Sequence, residues 1–128
     1  MLSTILYWAA RIVAAVIMLQ TLFFKFAGAE ESIYIFETVG MEPWGRYAVG
    51  VFELMASVLI LIPRTAWLGG LLTTGLMLGA ISMHFLFLGI EVQGDGGQLF
   101  AYAIIALVCG GFVAIRDRKQ ILSTLLGQ

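Results

Sequence analysis

The sequence predicts an all-α integral membrane protein, a bundle of four transmembrane helices with both termini in the cytoplasm. Three observations carry this expectation. Of the 128 residues, 61% are hydrophobic and 12% charged, against about 45–50% and about 25% in soluble domains. The apolar residues gather into four runs, each close to the roughly 20 residues that cross a bilayer. The charges between the runs are sorted by sign. Four spans nearly exhaust the chain, so a single domain over 1–128 is expected, with no soluble catalytic domain beside it. No basic run points to nucleic acid.

The first span is expected from about Thr4 to Phe26, with Arg11, Gln20 and Lys25 as polar exceptions. Ala27-Gly28-Ala29 resembles a signal-peptide cleavage site. The residues before Arg11 carry no positive charge, however, and Lys25 interrupts the approach, so the stretch reads as a retained helix. An acidic segment with Glu30, Glu31, Glu37 and Glu42 follows. Within it Ile33, Phe36 and Val39 have helical spacing, which suits a short helix at the membrane surface. Pro43 stands just ahead of the second span, near the first-turn position that proline tolerates.

The second span runs from about Trp44 to Ile62 and contains Glu53; Pro63-Arg64 turns the chain. The third runs from about Ala66 to Leu88 and contains Thr73, Thr74, Ser82 and His84. GIEVQGDGG, residues 89–97, is a glycine-rich loop. The fourth span runs from about Gln98 to Ile115 and ends at RDRK. Strands are disfavoured, because the runs lack period-two alternation and only helices satisfy their own backbone in lipid. Gly69, Gly70, Gly75, Gly79, Gly110 and Gly111 would allow close helix approach. The GxxxG string Gly75–Gly79 is expected to pack inside the bundle rather than form a dimer interface.

Orientation follows from positive charge in short loops. Arg64 and the Arg116, Arg118, Lys119 cluster are expected on the cytoplasmic side, the acidic segments outside. Arg46 is the exception. Trp44 and Trp67 stand where span ends meet the interface. The pattern suits a multi-pass protein of a bacterial inner membrane.

Polar residues inside the spans are the candidate functional groups, because a charge at mid-bilayer costs about 2.5–3.5 kcal/mol on insertion scales. Glu53 lies nine residues into its helix, roughly 14 Å deep at 1.5 Å per residue. It needs a proton, a cation or a wet cavity. Arg11 is its first expected partner, as a structural ion pair, and Lys25 the alternative. Fourteen residues separate Arg11 from Lys25, which brings both to nearly one helix face. His84 lies near the external end of the third span, at a depth close to Lys25. Glu53, His84 and Lys25 are therefore the expected substrate-binding residues, around a pocket open to the external half. A metal site is not expected, since His84 is the one histidine and Cys109 the one thiol. Cys109 reads as a small buried apolar side chain. No phosphate loop, nucleophile elbow or dinucleotide fingerprint is present, and no catalytic residue is assigned.

At this point the chain resembles the DoxX-like family of four-helix membrane proteins. The resemblance rests on RIVAAVIMLQTLFFKFAG with Arg11 and Lys25, on MEPWGRY, and on VGVFELMASVLILIPRTAWLGGLL with Glu53. It spans about Arg11 to Ile115. The fourth helix departs from the G-x-G-x-x-S-x-D-like ending of DoxX itself and reads GGFVAIRDRK, which favours a DoxX-like branch. The resemblance implies a membrane bundle. It also implies kinship with subunits of a thiosulfate:quinone oxidoreductase, with membrane thiol-redox complexes and with eukaryotic assembly and trafficking proteins. The expected function is a subunit of a membrane redox system that binds a quinone or another small amphiphile. The alternatives are a non-catalytic assembly subunit and a small proton-coupled carrier. A quinone is the candidate cofactor. The lipid bilayer, a membrane redox protein and a second copy of the chain are the candidate partners.

Overall fold

A computed structural model describes residues 2–91 and 94–127; Val92 and Gln93 of the expected loop, and the two terminal residues of the expected domain, lie outside the described residues. Six α-helices form among the described residues: α1 (Leu2–Ala27), α2 (Glu30–Thr38), α3 (Trp44–Leu61), α4 (Ala66–Met83), α5 (Gln98–Arg116) and α6 (Arg118–Leu125). A π-helical segment, His84–Leu88, prolongs α4. No strand occurs among the described residues. α1, α3, α4 with its π segment, and α5 are long and apolar enough to cross a membrane.

Two short helices flank this frame. α2 takes up the helical spacing of Ile33, Phe36 and Val39, and it buries Phe36 together with Ser32 against the bundle. α6 begins within RDRK, where a stop is expected from the charges. Asp117 breaks the helix for only one residue, and Arg118 begins the next.

α1 packs on α3, α3 on α4, α4 on α5, and α5 returns to α1. This up-down-up-down order brings the start of α1, the end of α5 with α6, and the 62–65 turn to one face. The Arg116 guanidinium donates to the Ser3 carbonyl there, and Gln120 Nε2 donates to the Arg64 carbonyl at 3.2 Å. This is the terminal face. α2 and the 89–97 segment lie at the opposite, loop face. There the Asp95 carboxylate accepts from the Gly97 and Leu99 amides at 2.8 and 3.2 Å. These bonds satisfy two of the free amides at the start of α5.

The interior is built from small side chains: Ala14, Ala15, Ala56, Ala103 and Ala106, with Met18, Ile60 and Val113 between them. Large apolar side chains such as Phe52, Leu54 and Leu78 point outwards instead, the arrangement a lipid solvent permits. Van der Waals packing then replaces the hydrophobic effect as the force between helices, so backbone approach decides the seams. A Cβ at Gly69 would stand 2.6 Å from the Ile60 Cα on α3. At Gly70 it would meet the Gly110 carbonyl at 3.0 Å, and at Gly110 the Thr73 side chain at 2.8 Å. The expectation for Gly75 and Gly79 is corrected. Among the described residues neither has an atom of another element within 4 Å of the Cβ position, so these two glycines admit no neighbouring helix, while Met77 between them is buried in the core.

Candidate functional site

α1 and α3 run antiparallel, and each carries one buried arginine in its first half. Arg11, 1% exposed, donates from Nε to the Ile60 carbonyl at 2.7 Å and from Nη2 to the Leu61 carbonyl at 2.8 Å. The carbonyls at a helix end lack intrahelical donors, and a guanidinium supplies several in a fixed fork. The indole of Trp8 lies 3.7 Å from the guanidinium carbon. Arg46 does the reciprocal work at the loop face. Its Nη1 donates to the Lys25 carbonyl at the end of α1, while Nε donates to both carboxylate oxygens of Glu42 at 3.0 Å. Each helix thus clamps the C-terminus of the other.

The expected Arg11–Glu53 ion pair is therefore corrected. The donors of Arg11 are turned to the end of α3, about two turns beyond Glu53 and towards the terminal face. Lys25, the alternative partner, places Nζ 2.8 Å from Glu53 Oε1. The ammonium is the partner of that oxygen in a charge-assisted contact. Oε2 accepts from the Thr21 hydroxyl at 2.7 Å. Lys25 and Thr21 are one helical turn apart on α1, which brings both to the same carboxylate. Glu53 itself is 3% exposed.

These groups border a cavity of about 410 Å³ between the four spans, roofed by α2. Lys25, Glu53 and His84 all line it. The π-helical turn positions His84. Its Nδ1 lies 2.9 Å from the Gly89 carbonyl, and its ring meets Phe100 edge-on with centroids 5.4 Å apart. A proton on Nδ1, donated to that carbonyl, leaves Nε2 as the ring nitrogen for the cavity. The remaining wall is mostly apolar, with Ile17, Phe24, Val49, Leu76 and Met83 among its residues. A second hollow of about 220 Å³ adjoins the first through Thr21, Phe24, Glu31, Leu99 and Tyr102, and adds Gln20 and Gln98.

Four polar lining residues, Thr21, Glu31, Ser32 and Tyr102, are not among the residues singled out from the sequence. Thr21 is legible one turn before Lys25. Glu31 reads only as one charge of an acidic segment, because its place depends on how α2 folds back over the bundle. Its Oε1 is buried without a hydrogen-bond partner, and burial, with the nearby Asp95 carboxylate, raises its pKa above the ordinary value of 4.5. Tyr102 sits within an apolar run. Its hydroxyl accepts from Gln98 at 2.8 Å.

The fold and this site define a multi-pass membrane bundle with a partly polar cavity set between its spans. The chain matches the DoxX family over residues 6–89, about two thirds of its length, and it belongs to that family. No curated protein and no solved structure matches the chain.

Proposed function

We propose that the chain binds a small, bilayer-soluble amphiphile, a quinone by first choice, in the cavity between its helices, and that it serves a membrane redox system as a ligand-binding subunit. The observation that carries this reading is the meeting of Lys25, Glu53 and His84 on one cavity of about 410 Å³ whose other walls are mainly apolar. Ligand sites of about 300–1,000 Å³ typically combine apolar walls with a few placed polar groups. The ammonium of Lys25 is a donor suited to a quinone carbonyl. The Glu53 carboxylate, which keeps spare lone pairs, and the imidazole Nε2 are acceptors suited to a hydroxyl. When bound, a quinone would supply the electron chemistry that these side chains lack. The family membership and the charge asymmetry of the loops support a bacterial inner-membrane setting with both termini cytoplasmic.

Titration of the detergent-purified protein with a short-tailed benzoquinone, checked by native mass spectrometry, tests the reading. Glu53→Gln should weaken binding about tenfold or more, since a hydrogen bond to a charged group contributes about 1.5–3 kcal/mol. The variant should keep a cooperative melt. A wild-type protein that binds no quinone, or a Glu53→Gln protein that binds it unchanged, would refute the proposal.

A further inference from the structure

The lining of the cavity reaches the outer, apolar surface of the bundle at Gly75 and Gly79 on α4, as it does at Phe24 on α1. Ile60, Glu53 and Val49 follow one another on α3 at intervals of seven and four residues, and Gly69, Leu76 and Ala80 repeat those intervals on α4. Such spacings keep residues on one flank of a helix. The two flanks face each other along the α3–α4 seam. At the terminal face the seam is shut, because the Gly69 backbone lies directly against Ile60. Further along, Glu53 and Val49 on one side and Leu76 and Ala80 on the other line the cavity. The two helices have parted.

Gly75 and Gly79 mark where they part. Both line the cavity, both are exposed, and neither would meet an atom within 4 Å at the Cβ position. Gly75 belongs to the outward stripe that also carries Leu71 and Leu78, 40% and 52% exposed. A residue that is at once on the outer surface and on the cavity wall stands where the wall is missing. Gly75 lies nine residues into α4 and Gly79 thirteen, roughly 14 and 20 Å from the terminal end at 1.5 Å per residue. In a hydrocarbon layer about 30 Å thick these depths fall among acyl chains rather than headgroups. Behind the gap stands Glu53, deeply buried and paired with Lys25 on the cavity wall.

We propose that the gap between α3 and α4 at Gly75 and Gly79 is a lateral portal through which the ligand reaches the cavity from the bilayer, and that the ligand is a polar head on a hydrocarbon tail. This rests on the binding role proposed above and names the route and the tail. A volume of 410 Å³ holds about fourteen groups of water size, at about 30 Å³ each. That accommodates a single-ring head and a few tail carbons. A longer tail has to leave the protein, and the glycine gap lets it leave into lipid, where it costs nothing to solvate.

Two measurements test the portal. In vesicles of phosphatidylcholine carrying a diazirine on the acyl chain, photolysis should label Glu53, Leu76 and Ala80 inside the cavity as well as Leu78 on the outer face. Gly75→Leu with Gly79→Leu should reduce the inner labels to background and spare Leu78. Gly111→Leu, at a glycine that also has open space but does not line the cavity, should change neither. Labelling confined to Leu78 in the wild-type protein overturns the portal, whatever the ligand is. The second measurement compares a decyl-tailed benzoquinone with its tail-less parent. In the double variant the tailed ligand should lose about tenfold or more in affinity, about 1.4 kcal/mol, while the tail-less one binds as before. Equal binding of the tailed ligand, or loss of both in a protein that still melts cooperatively, overturns it. Absence of any quinone binding to the wild-type protein defeats the binding role and leaves the labelling result to decide the portal.

Discussion

Lys25 and Glu53 form an ion pair whose two halves are not equally buried, and their replacement should therefore cost unequal amounts. Lys25→Met leaves a carboxylate whose side chain is 4% exposed with the Thr21 hydroxyl as its remaining partner. An uncompensated buried charge of this kind costs about 3–5 kcal/mol. Glu53→Gln leaves a different remainder. The Lys25 side chain is 16% exposed and sits in the last turn of α1. Its stem can carry the ammonium towards the loop face, where the helix C-terminus favours a cation by about 0.3–1 kcal/mol. The amide introduced at position 53 keeps an oxygen for Thr21. The expected cost is about 1–2 kcal/mol, near that of one lost hydrogen bond. The double variant, with no charge left to bury, should fall close to Glu53→Gln alone, giving a coupling as large as the cost of Lys25→Met, about 3–5 kcal/mol. Unfolding titrations in mixed micelles, run on all four proteins, measure these differences. A Glu53→Gln protein that is less stable than Lys25→Met would refute the argument that carboxylate burial is the dominant cost.

Two further outcomes follow from packing and charge. Gly69→Ala should destabilise by about 1–3 kcal/mol through overpacking, because the new methyl meets the Ile60 backbone; Gly75→Ala, in open space, should stabilise by up to about 1 kcal/mol through helix propensity, as read from the same unfolding titrations. Glu31 carries a raised pKa in the folded protein, so the folded state binds more protons than the unfolded one between the ordinary value of 4.5 and the raised one. Its contribution to stability thus declines as pH rises through that window. Glu31→Gln should therefore raise the melting temperature at neutral pH and leave it unchanged below about pH 4, where both forms are neutral. A lower melting temperature at neutral pH would contradict this sign.

The fold is largely legible because the chain is written for lipid. Composition, run length and the absence of alternation all point to spanning helices, and the spacing of Ile33, Phe36 and Val39 marks α2. Features that depend on local geometry are not legible. Nothing in HFLFL distinguishes a π-helical turn from a continued α-helix, yet that turn sets His84 against the Gly89 carbonyl. RDRK reads as a stop because a run of consecutive charges ends most spans, and α6 continues past it along the terminal face.

The glycines show the same boundary more sharply. Gly69, Gly70, Gly75, Gly79 and Gly110 all occur in apolar runs, and the sequence offers no reason to separate them. Only the tertiary arrangement divides those that admit a neighbouring backbone from those that admit nothing within 4 Å. The arginines pose a related problem. Depth and helix face are what a sequence supplies, and on both counts Arg11 suits Glu53. What it does not supply is the competing acceptor. The two carbonyls at the end of α3 need donors as much as the carboxylate does, and they lie nearer to the depth of Arg11. Once Arg11 and Arg46 are each committed to the far end of the other's helix, the α1–α3 register is set by bonds that do not involve Glu53. The Lys25–Glu53 pair is then not needed to hold the two helices together, which frees it to face a cavity. A buried ion pair that only fixed packing would be expected at a closed seam. This one stands on the cavity wall, which it shares with Gly75 and Gly79 of α4, glycines with no described atom of another element within 4 Å of the Cβ position.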